Sequence, residues 1–251
     1  MSARAQPRIH VSPEAAALAD EAARRFVASA RAAVEARGRF VVALSGGSTP
    51  KALFRLLAGA PHRDQVDWGR VHVGWGDERC VPPDDDQSNF KMAREALLDH
   101  VPIPPEQIHR IPAELPDREA AADGYAATLR ELFALPPGGG AWPRFDLIHL
   151  GLGPEGHTAS LFPGSPALTE TRRLVAAPYV KEVGAYRITL TPPVLNAARE
   201  VTFLVAGAEK AAVVREVLRG PRDVTRLPAQ VVAPTDGELT WLLDAAAAAQ
   251  L

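Results

Sequence analysis

The chain has 251 residues, 47% of them hydrophobic, so it is long enough to bury a sizeable core without disulfides or a structural metal. Its 28 basic and 30 acidic residues leave a formal net charge of −2, which argues against nucleic acid as the main partner. Cys80 is the sole cysteine, which excludes an intramolecular disulfide and a cysteine-based metal cage.

The N-terminal residues, MSARAQPRIH, contain no apolar signal-peptide segment, and no stretch approaches the ~18 uninterrupted apolar residues of a membrane span. We therefore expect a soluble cytoplasmic protein with no membrane partner. The sequence has no internal repeat and no low-complexity tail. We expect one domain over residues 1–251, present as a monomer or a small homo-oligomer.

Short apolar or β-branched runs predict five strands. In chain order they are residues 40–44, 71–75, 145–150, 187–191 and 201–205, of which the second and fourth are less apolar. Stretches with helical spacing lie between and beside them. They are residues 13–37, 48–58, 88–100, 117–135, 209–219 and 236–249.

The first helix has clear end signals. Ser12 is its expected N-cap, Pro13 its first residue, and Gly38 its stop. The segment at 136–140, rich in Pro and Gly, predicts a surface loop.

The alternation of strands and helices predicts an α/β fold with a mostly parallel sheet and helices on both faces. Ligands of such folds bind in the loops at the carboxyl ends of the strands. The loops in question are residues 45–50, 76–80, 151–157 and 206–210.

Residues 151–156 satisfy the glycine pattern of dinucleotide-binding enzymes, G-x-G-x-x-G. Such a site needs the glycines to open a helix and needs an acidic residue at the end of the next strand, about 20 positions on. Here Pro163, Gly164 and Pro166 interrupt any helix, and no strand ending in Asp or Glu lies near residue 175. We therefore expect no dinucleotide site.

The glycine turn instead leads into His157. Glycines at a strand end let the backbone approach a ligand closely, and imidazole is the side chain best suited to take a proton near neutral pH. His157 is therefore a candidate general base. Spacing alone also fits a histidine that caps a helix or fills a polar corner.

The loop at 45–50, Ser-Gly-Gly-Ser-Thr-Pro, follows the first predicted strand and opens a helix. Backbone amides, hydroxyl groups and the helix dipole at such a point favour a phosphate. The loop lacks the G-K-[ST] order of a nucleotide triphosphate site. The alternative is a simple capped turn, with Ser48 or Thr49 as the N-cap.

Three basic residues lie beside the same sheet-end loops, where they could complete an anion site: Arg79, Arg187 and Lys210. The histidines show no metal-ligand spacing, and no G-x-S-x-G nucleophile turn is present. Attack by water is therefore favoured over a covalent serine mechanism.

Taken together, these stretches resemble the 6-phosphogluconolactonases, over roughly residues 10–245. The matching segments are residues 45–50, 77–83 with Ser88 and Asn89, 156–163, 187–191, 207–210 and 237–244. The resemblance implies hydrolysis of 6-phospho-D-glucono-1,5-lactone on a Rossmann-like α/β fold, with no cofactor and no metal.

The resemblance also implies a role for individual residues. His157 is the general base and Arg79 stabilises the substrate. The phosphorylated end is held by Ser45, Gly46, Gly47, Ser48, Thr49, Arg187 and Lys210. Glu155 stands where the family usually has aspartate, so it is a candidate for orienting His157, and Asp77 is a candidate structural or orienting residue.

Two other functions remain open from the sequence. A glucosamine-6-phosphate deaminase or related isomerase would share the fold and a Gly-His loop, but such enzymes carry an acid five residues after the histidine, where this chain has Phe162. A non-catalytic sugar-phosphate sensor would usually carry a DNA-binding segment before the sugar domain. Here the first predicted helix leads almost directly into the strand at residue 40.

Overall fold

The computed structural model describes residues 7–137 and 140–251, and in these ranges the chain forms ten strands and six α-helices. The strands are β1 (Arg8–Ser12), β2 (Phe40–Leu44), β3 (Val71–Trp75), β4 (Asp77–Arg79), β5 (Leu147–Leu150), β6 (Val175–Ala176), β7 (Tyr179–Val180), β8 (Ala185–Leu190), β9 (Glu200–Val205) and β10 (Glu238–Asp244). The helices are α1 (Ala15–Arg37), α2 (Ser48–Leu57), α3 (Asn89–Ala96), α4 (Arg118–Leu132), α5 (Pro192–Ala197) and α6 (Ala211–Arg219). Part of the predicted loop at 136–140, and residues 1–6, lie outside the described residues.

The main sheet has six parallel strands in the order β1-β10-β9-β5-β2-β3. All five residues of β2 are buried, so both faces of the sheet are covered there. Helix α1 packs against α2 and against strands β2 and β10. The predicted α/β fold with a mostly parallel sheet is confirmed.

The predicted helix at 236–249 is wrong, because residues 238–244 form strand β10. Local spacing favoured a helix there because alanines follow the apolar residues. The strand forms because β10 pairs with β1 on one side and with β9 on the other. Its Trp241 lies beside Phe203 of β9, with parallel rings whose centroids are 3.9 Å apart. These pairings are between distant residues, which local periodicity does not report.

The start of the first helix also differs from the prediction. Ser12 is the last residue of β1 and is buried, and the N-cap of α1 is Glu14, which makes no side-chain capping bond. Pro13 therefore precedes the helix. The predicted stop is confirmed, because Gly38 takes the left-handed conformation (φ 76°) and its amide donates to the carbonyl of Val34.

A second, antiparallel sheet lies at the carboxyl edge of the main one. It pairs β8 with β4, β6 and β7, so the strand predicted at 187–191 is not part of the parallel sheet. Gly76 connects the two sheets: its amide donates to Leu44 at the end of β2, and its carbonyl accepts from Leu190 of β8. The short strand β4 therefore continues directly from β3 and carries its side chains across the edge of the main sheet.

His149 is a buried residue of β5, as its apolar surroundings predict. Its ring lies 6.2 Å from that of Phe26 in α1, and its Nδ1 has no hydrogen-bond partner among the described residues. Burial lowers the pKa of His149 to about 4, because the charged ring would lose its hydration.

We expect His149 to make the fold sensitive to acid. The unfolded chain takes up this proton near pH 6.5, and the folded chain only near pH 4, so the unfolded state binds more protons between those values and stability falls as the pH is lowered. The loss is about 3 kcal/mol at roughly 1.4 kcal/mol per pH unit. Urea unfolding at pH 7 and pH 4 measures it. The His149→Phe variant should lose about 3 kcal/mol less over this range, and equal losses in both proteins would contradict the prediction.

Candidate active site

A cavity of ≈ 260 Å³ opens at the carboxyl edge of the main sheet. The loop after β2 contributes Ser45 and Gly46, and strand β4 contributes Asp77 and Arg79. Seven residues between 151 and 159, which follow β5, form another wall and include His157. Asn89 at the start of α3 and Lys210 just after β9 also line the cavity, so five separate segments of the chain meet here.

The imidazole of His157 lies against Phe162 and Glu155. One face stacks on the Phe162 ring, with centroids 3.9 Å apart and planes at 17°. Nδ1 lies 3.1 Å from Oε2 of Glu155. The contact is close but not aligned as a hydrogen bond, and both atoms lack a hydrogen-bond partner within the described residues. Nε2 makes no hydrogen bond within the same residues, so it is the ring atom available to water or to a ligand.

Gly153 and Gly156 shape the turn that places this ring. A Cβ on Gly153 would lie 2.0 Å from Nδ1 of His157, and Gly156 has a positive φ of 85°. The amide of Gly153 donates to the carbonyl of His157, and the amide of Gly156 donates to that of Gly153. Residues 151–165 form turns and no α-helix. Gly153 therefore leaves room for the His157 ring, and Gly156 allows the turn that places it. The turn lacks the α-helix that a dinucleotide site requires.

Arg79 and Arg187 lie directly opposite each other on β4 and β8. Like charges in this position repel, and burial together with Arg79 lowers the pKa of Arg187. In the part of the chain that the structure describes, each guanidinium donates to one backbone carbonyl, Arg79 to Gln87 and Arg187 to Tyr186. Neither these two nor Lys210 forms an ion pair within the described residues. The nearby carboxylates of Asp77 and Glu78 partly offset this lowering of the pKa of Arg187, but neither forms an ion pair with it. Three cations without an ion-pair partner form the kind of site that a phosphate would fill.

Glu78 fixes strand β4 against helix α3. Its buried carboxylate accepts hydrogen bonds from the amides of Arg79, Asn89 and Phe90 and from the hydroxyl of Ser88. The N-terminus of α3 is thus occupied by a carboxylate of the protein itself. Burial raises the pKa of Glu78, against the effect of these hydrogen bonds. The hydrogen bonds of Glu78 hold Arg79 and Asn89 in place, and both residues line the cavity.

The loop at 45–49 ends the strand as predicted. Gly47 is the N-cap of α2, with φ 110° and no side-chain capping bond, so the capped-turn alternative with Ser48 or Thr49 is wrong. The amides of Gly46 and Gly47 donate to no acceptor in the described residues. Gly46 is packed tightly against Asn89, since a Cβ there would lie 1.9 Å from its Oδ1. The loop therefore presents free amide donors beside the cavity.

The structure brings most of the predicted residues together. His157, Arg79, Asp77, Ser45, Gly46 and Lys210 all line the cavity. Five other predicted residues do not line the cavity itself. Glu155 lies behind the histidine ring, and Arg187 stands beside Arg79. Gly47, Ser48 and Thr49 continue the loop from Gly46 into α2. Sequence reasoning did not assign Asn89, which lines the cavity and donates to the carbonyl of Asp77. Its place after Ser88, the side-chain cap of α3, was the available signal.

A family model described as glucosamine-6-phosphate isomerases/6-phosphogluconolactonase matches residues 13–241. The chain belongs to this family. It is 46% identical to a 6-phosphogluconolactonase of Synechocystis over 84% of this chain and 85% of the relative. It is 42% identical to a 6-phosphogluconolactonase of Mycobacterium tuberculosis over 97% and 98% of the two chains. A solved structure of 6-phosphogluconolactonase from Trypanosoma brucei superposes with a TM-score of 0.88, at 32% identity, over 98% of this chain and 99% of that one.

Within residues 7–137 and 140–251, no three His, Cys, Asp or Glu side chains are placed to hold a metal ion. In the same part of the chain, no helix has the length and apolar character needed to cross a membrane.

We expect the buried Glu78 carboxylate to contribute strongly to the stability of the folded protein. Glu78→Ala leaves four donors without their acceptor, which should lower the free energy of unfolding by about 3 kcal/mol or more. Glu78→Gln keeps one acceptor oxygen and should lose less. Urea unfolding measures both, with Glu95→Ala, an exposed carboxylate of α3, as the control. A Glu78→Ala variant as stable as that control would show that the buried carboxylate is dispensable.

Proposed function

We propose that this protein hydrolyses 6-phospho-D-glucono-1,5-lactone to 6-phospho-D-gluconate, the second step of the oxidative pentose phosphate pathway. The relatives and the solved structure named above carry the name of this activity. The observation that carries the proposal is one small cavity lined both by the imidazole of His157, whose Nε2 makes no hydrogen bond within the described residues, and by Arg79 and Lys210, which form no ion pair there. A phosphorylated lactone suits both, since its carbonyl group can meet the imidazole while its phosphate meets the cations.

His157 is proposed as the general base. A δ-lactone is an activated ester, so water activated by a base can open it without a nucleophilic side chain. Nε2 takes a proton from water as the water attacks the carbonyl carbon, which accounts for about 10²- to 10⁴-fold in rate. The bond from that carbon to the ring oxygen then breaks, and the imidazolium returns the proton to the ring oxygen, which becomes a hydroxyl group of the product. Glu155, at Nδ1, orients the ring and stabilises the imidazolium that forms. Because Phe162 and Gly153 confine the ring, little reorientation is needed on the way to the transition state.

The phosphate is proposed to bind at the end of the cavity away from His157, next to the lining residues Arg79 and Gly46. Arg187, Lys210 and the loop from Ser45 to Thr49 hold it, with backbone amides and hydroxyls supplementing the charges. Arg79, which lines the cavity, stabilises the bound substrate. Because the phosphate is remote from the reacting carbon, it fixes the pose of the ring without taking part in the chemistry.

The family description also names glucosamine-6-phosphate isomerases. The contact between Phe162 and His157 disfavours that activity here, since an apolar ring covers the imidazole where the deaminases carry an acid. Helix α1 gives no support to the sensor alternative. It packs on α2 and the main sheet, so it is part of the sugar-phosphate fold and not of a DNA-binding segment.

We further propose that the protein acts in the cytoplasm, as one domain and as a monomer or small homo-oligomer. A single cluster of buried side chains includes residues of both sheets, such as Phe40 of β2 and Ile188 of β8, which supports one domain. A charged phosphosugar does not cross membranes unaided, which supports an intracellular site of action.

Replacing His157 should separate catalysis from binding. We expect His157→Asn to lower kcat for the phosphorylated lactone at least about 100-fold, with little change in KM or in thermal stability. The assay follows acid release, with spontaneous ring opening subtracted. His100→Asn changes an exposed histidine outside the cavity and should retain wild-type turnover. Full activity of His157→Asn would show that another group is the base.

Replacing Arg187 should weaken recognition of the phosphate. We expect Arg187→Gln to raise KM for the phosphorylated lactone about 10-fold or more, while activity on unphosphorylated glucono-1,5-lactone changes little. Lys181→Gln removes the same charge from the exposed turn between β7 and β8 and is the control. An equal loss with both lactones would place Arg187 outside the phosphate site.

A further inference from the structure

Ser160 is a buried residue of the His157 loop with an unusual set of partners. Its hydroxyl donates to Oδ2 of Asp77 at 2.6 Å, and its amide donates to Oγ1 of Thr189 at 3.2 Å. Ser160 and Thr189 are 1% and 0% exposed, so neither bond competes with water. Both bonds leave the loop and end on the antiparallel sheet, one on β4 and the other on β8.

These two strands are the ones that carry the arginines. Asp77 pairs with Thr189, and Arg79 pairs with Arg187 two residues along the same ladder. Side chains two residues apart on a strand project from the same face. Asp77, Arg79, Arg187 and Thr189 therefore belong to one face of the small sheet, and Ser160 binds that face directly.

The loop needs external support at this point. Ala159, immediately before Ser160, has a φ of 47°, in the left-handed region that residues with a Cβ adopt at a cost of roughly 1–2 kcal/mol. On one side of it, the Thr158 hydroxyl donates to Gly151 within the same loop. On the other side, Ser160 provides the two bonds to the small sheet. The strained turn is thus secured between its own strand end and the face that carries the arginines.

We propose that Ser160 is a positioning residue that sets the separation between His157 and the anion-binding arginines. This inference rests on the proposed function, because it concerns how the two ends of a phosphorylated lactone are matched to the two halves of the site. Ser160 need not touch the substrate. It links the base, which follows the main sheet, to the cations of the second sheet, and a displacement of about 1 Å between them costs on the order of 100-fold in rate.

The test compares two substrates in the same variant. Without the Ser160 link, a phosphate held by the arginines no longer delivers the lactone carbonyl to His157. We expect Ser160→Ala to lower kcat for 6-phosphogluconolactone about 10- to 100-fold. For unphosphorylated glucono-1,5-lactone, which no phosphate anchors, we expect kcat/KM to fall less than about threefold.

Thr189 offers a second route to the same measurement, should Ser160→Ala fold poorly. Thr189→Val removes the acceptor of the Ser160 amide at nearly constant shape and should show the same selective loss. Thr189→Ser keeps the hydroxyl and should restore most of the rate. Ser165→Ala, a serine outside the cavity whose hydroxyl caps a short 3-10 helix, is the matched control and should behave like wild type.

Each result decides between the alternatives. A loss confined to the phosphorylated substrate in Ser160→Ala or Thr189→Val supports the link. Equal losses with both lactones would overturn it, because they would mean that Ser160 supports only the base or the fold. Wild-type rates in Ser160→Ala and Thr189→Val would overturn it as well. Failure of the wild-type protein to hydrolyse either lactone would instead refute the proposed function.

Discussion

The site depends on the confinement of one imidazole. The His157 ring lies between the Phe162 ring on one face, the Cα of Gly153 at its edge and the Glu155 carboxylate at Nδ1, so Nε2 alone is free to act. Such confinement requires glycine at position 153, since any Cβ would occupy the space of the ring. It also requires a turn with positive φ at Gly156. The glycine pattern that resembles a nucleotide site is therefore a steric requirement of the histidine.

The second constraint is electrostatic. Arg79 and Arg187 oppose each other across a strand pair, and Lys210 approaches from the end of β9, all without an ion-pair partner in the described residues. Such an arrangement of like charges costs stability in the free protein, and the proposed phosphate would offset that cost. Glu78 supports this arrangement by joining β4 to the start of α3 through three hydrogen bonds, from Ser88, Asn89 and Phe90. The short strand β4 therefore contributes both to the geometry of the site and to the stability of the fold.

Much of this arrangement could be predicted from the sequence, and the failures have physical causes. Strands β2 and β3 and the stop of α1 at Gly38 follow from apolar runs and from a glycine, both of which are local signals. Strand β10 and the antiparallel pairing of β8 depend on partners far along the chain, so spacing misassigned them. The cavity-lining residues that follow β2, β5 and β9 were predicted because the carboxyl ends of parallel strands lie at one edge of the sheet. Asn89 and Ser160 were not assigned, because their roles arise from hydrogen bonds to Asp77 of β4, and spacing along the chain does not report such long-range contacts.

A crystal structure with 6-phosphogluconate bound is the most direct test of whether the base and the cations grip opposite ends of one molecule. We expect the product carboxylate within hydrogen-bond distance of Nε2 of His157, and the phosphate in contact with Arg187, Lys210 and the amides of Gly46 and Gly47. A product bound outside this cavity, or bound in reverse with its phosphate against His157, would contradict the assignment of the two ends.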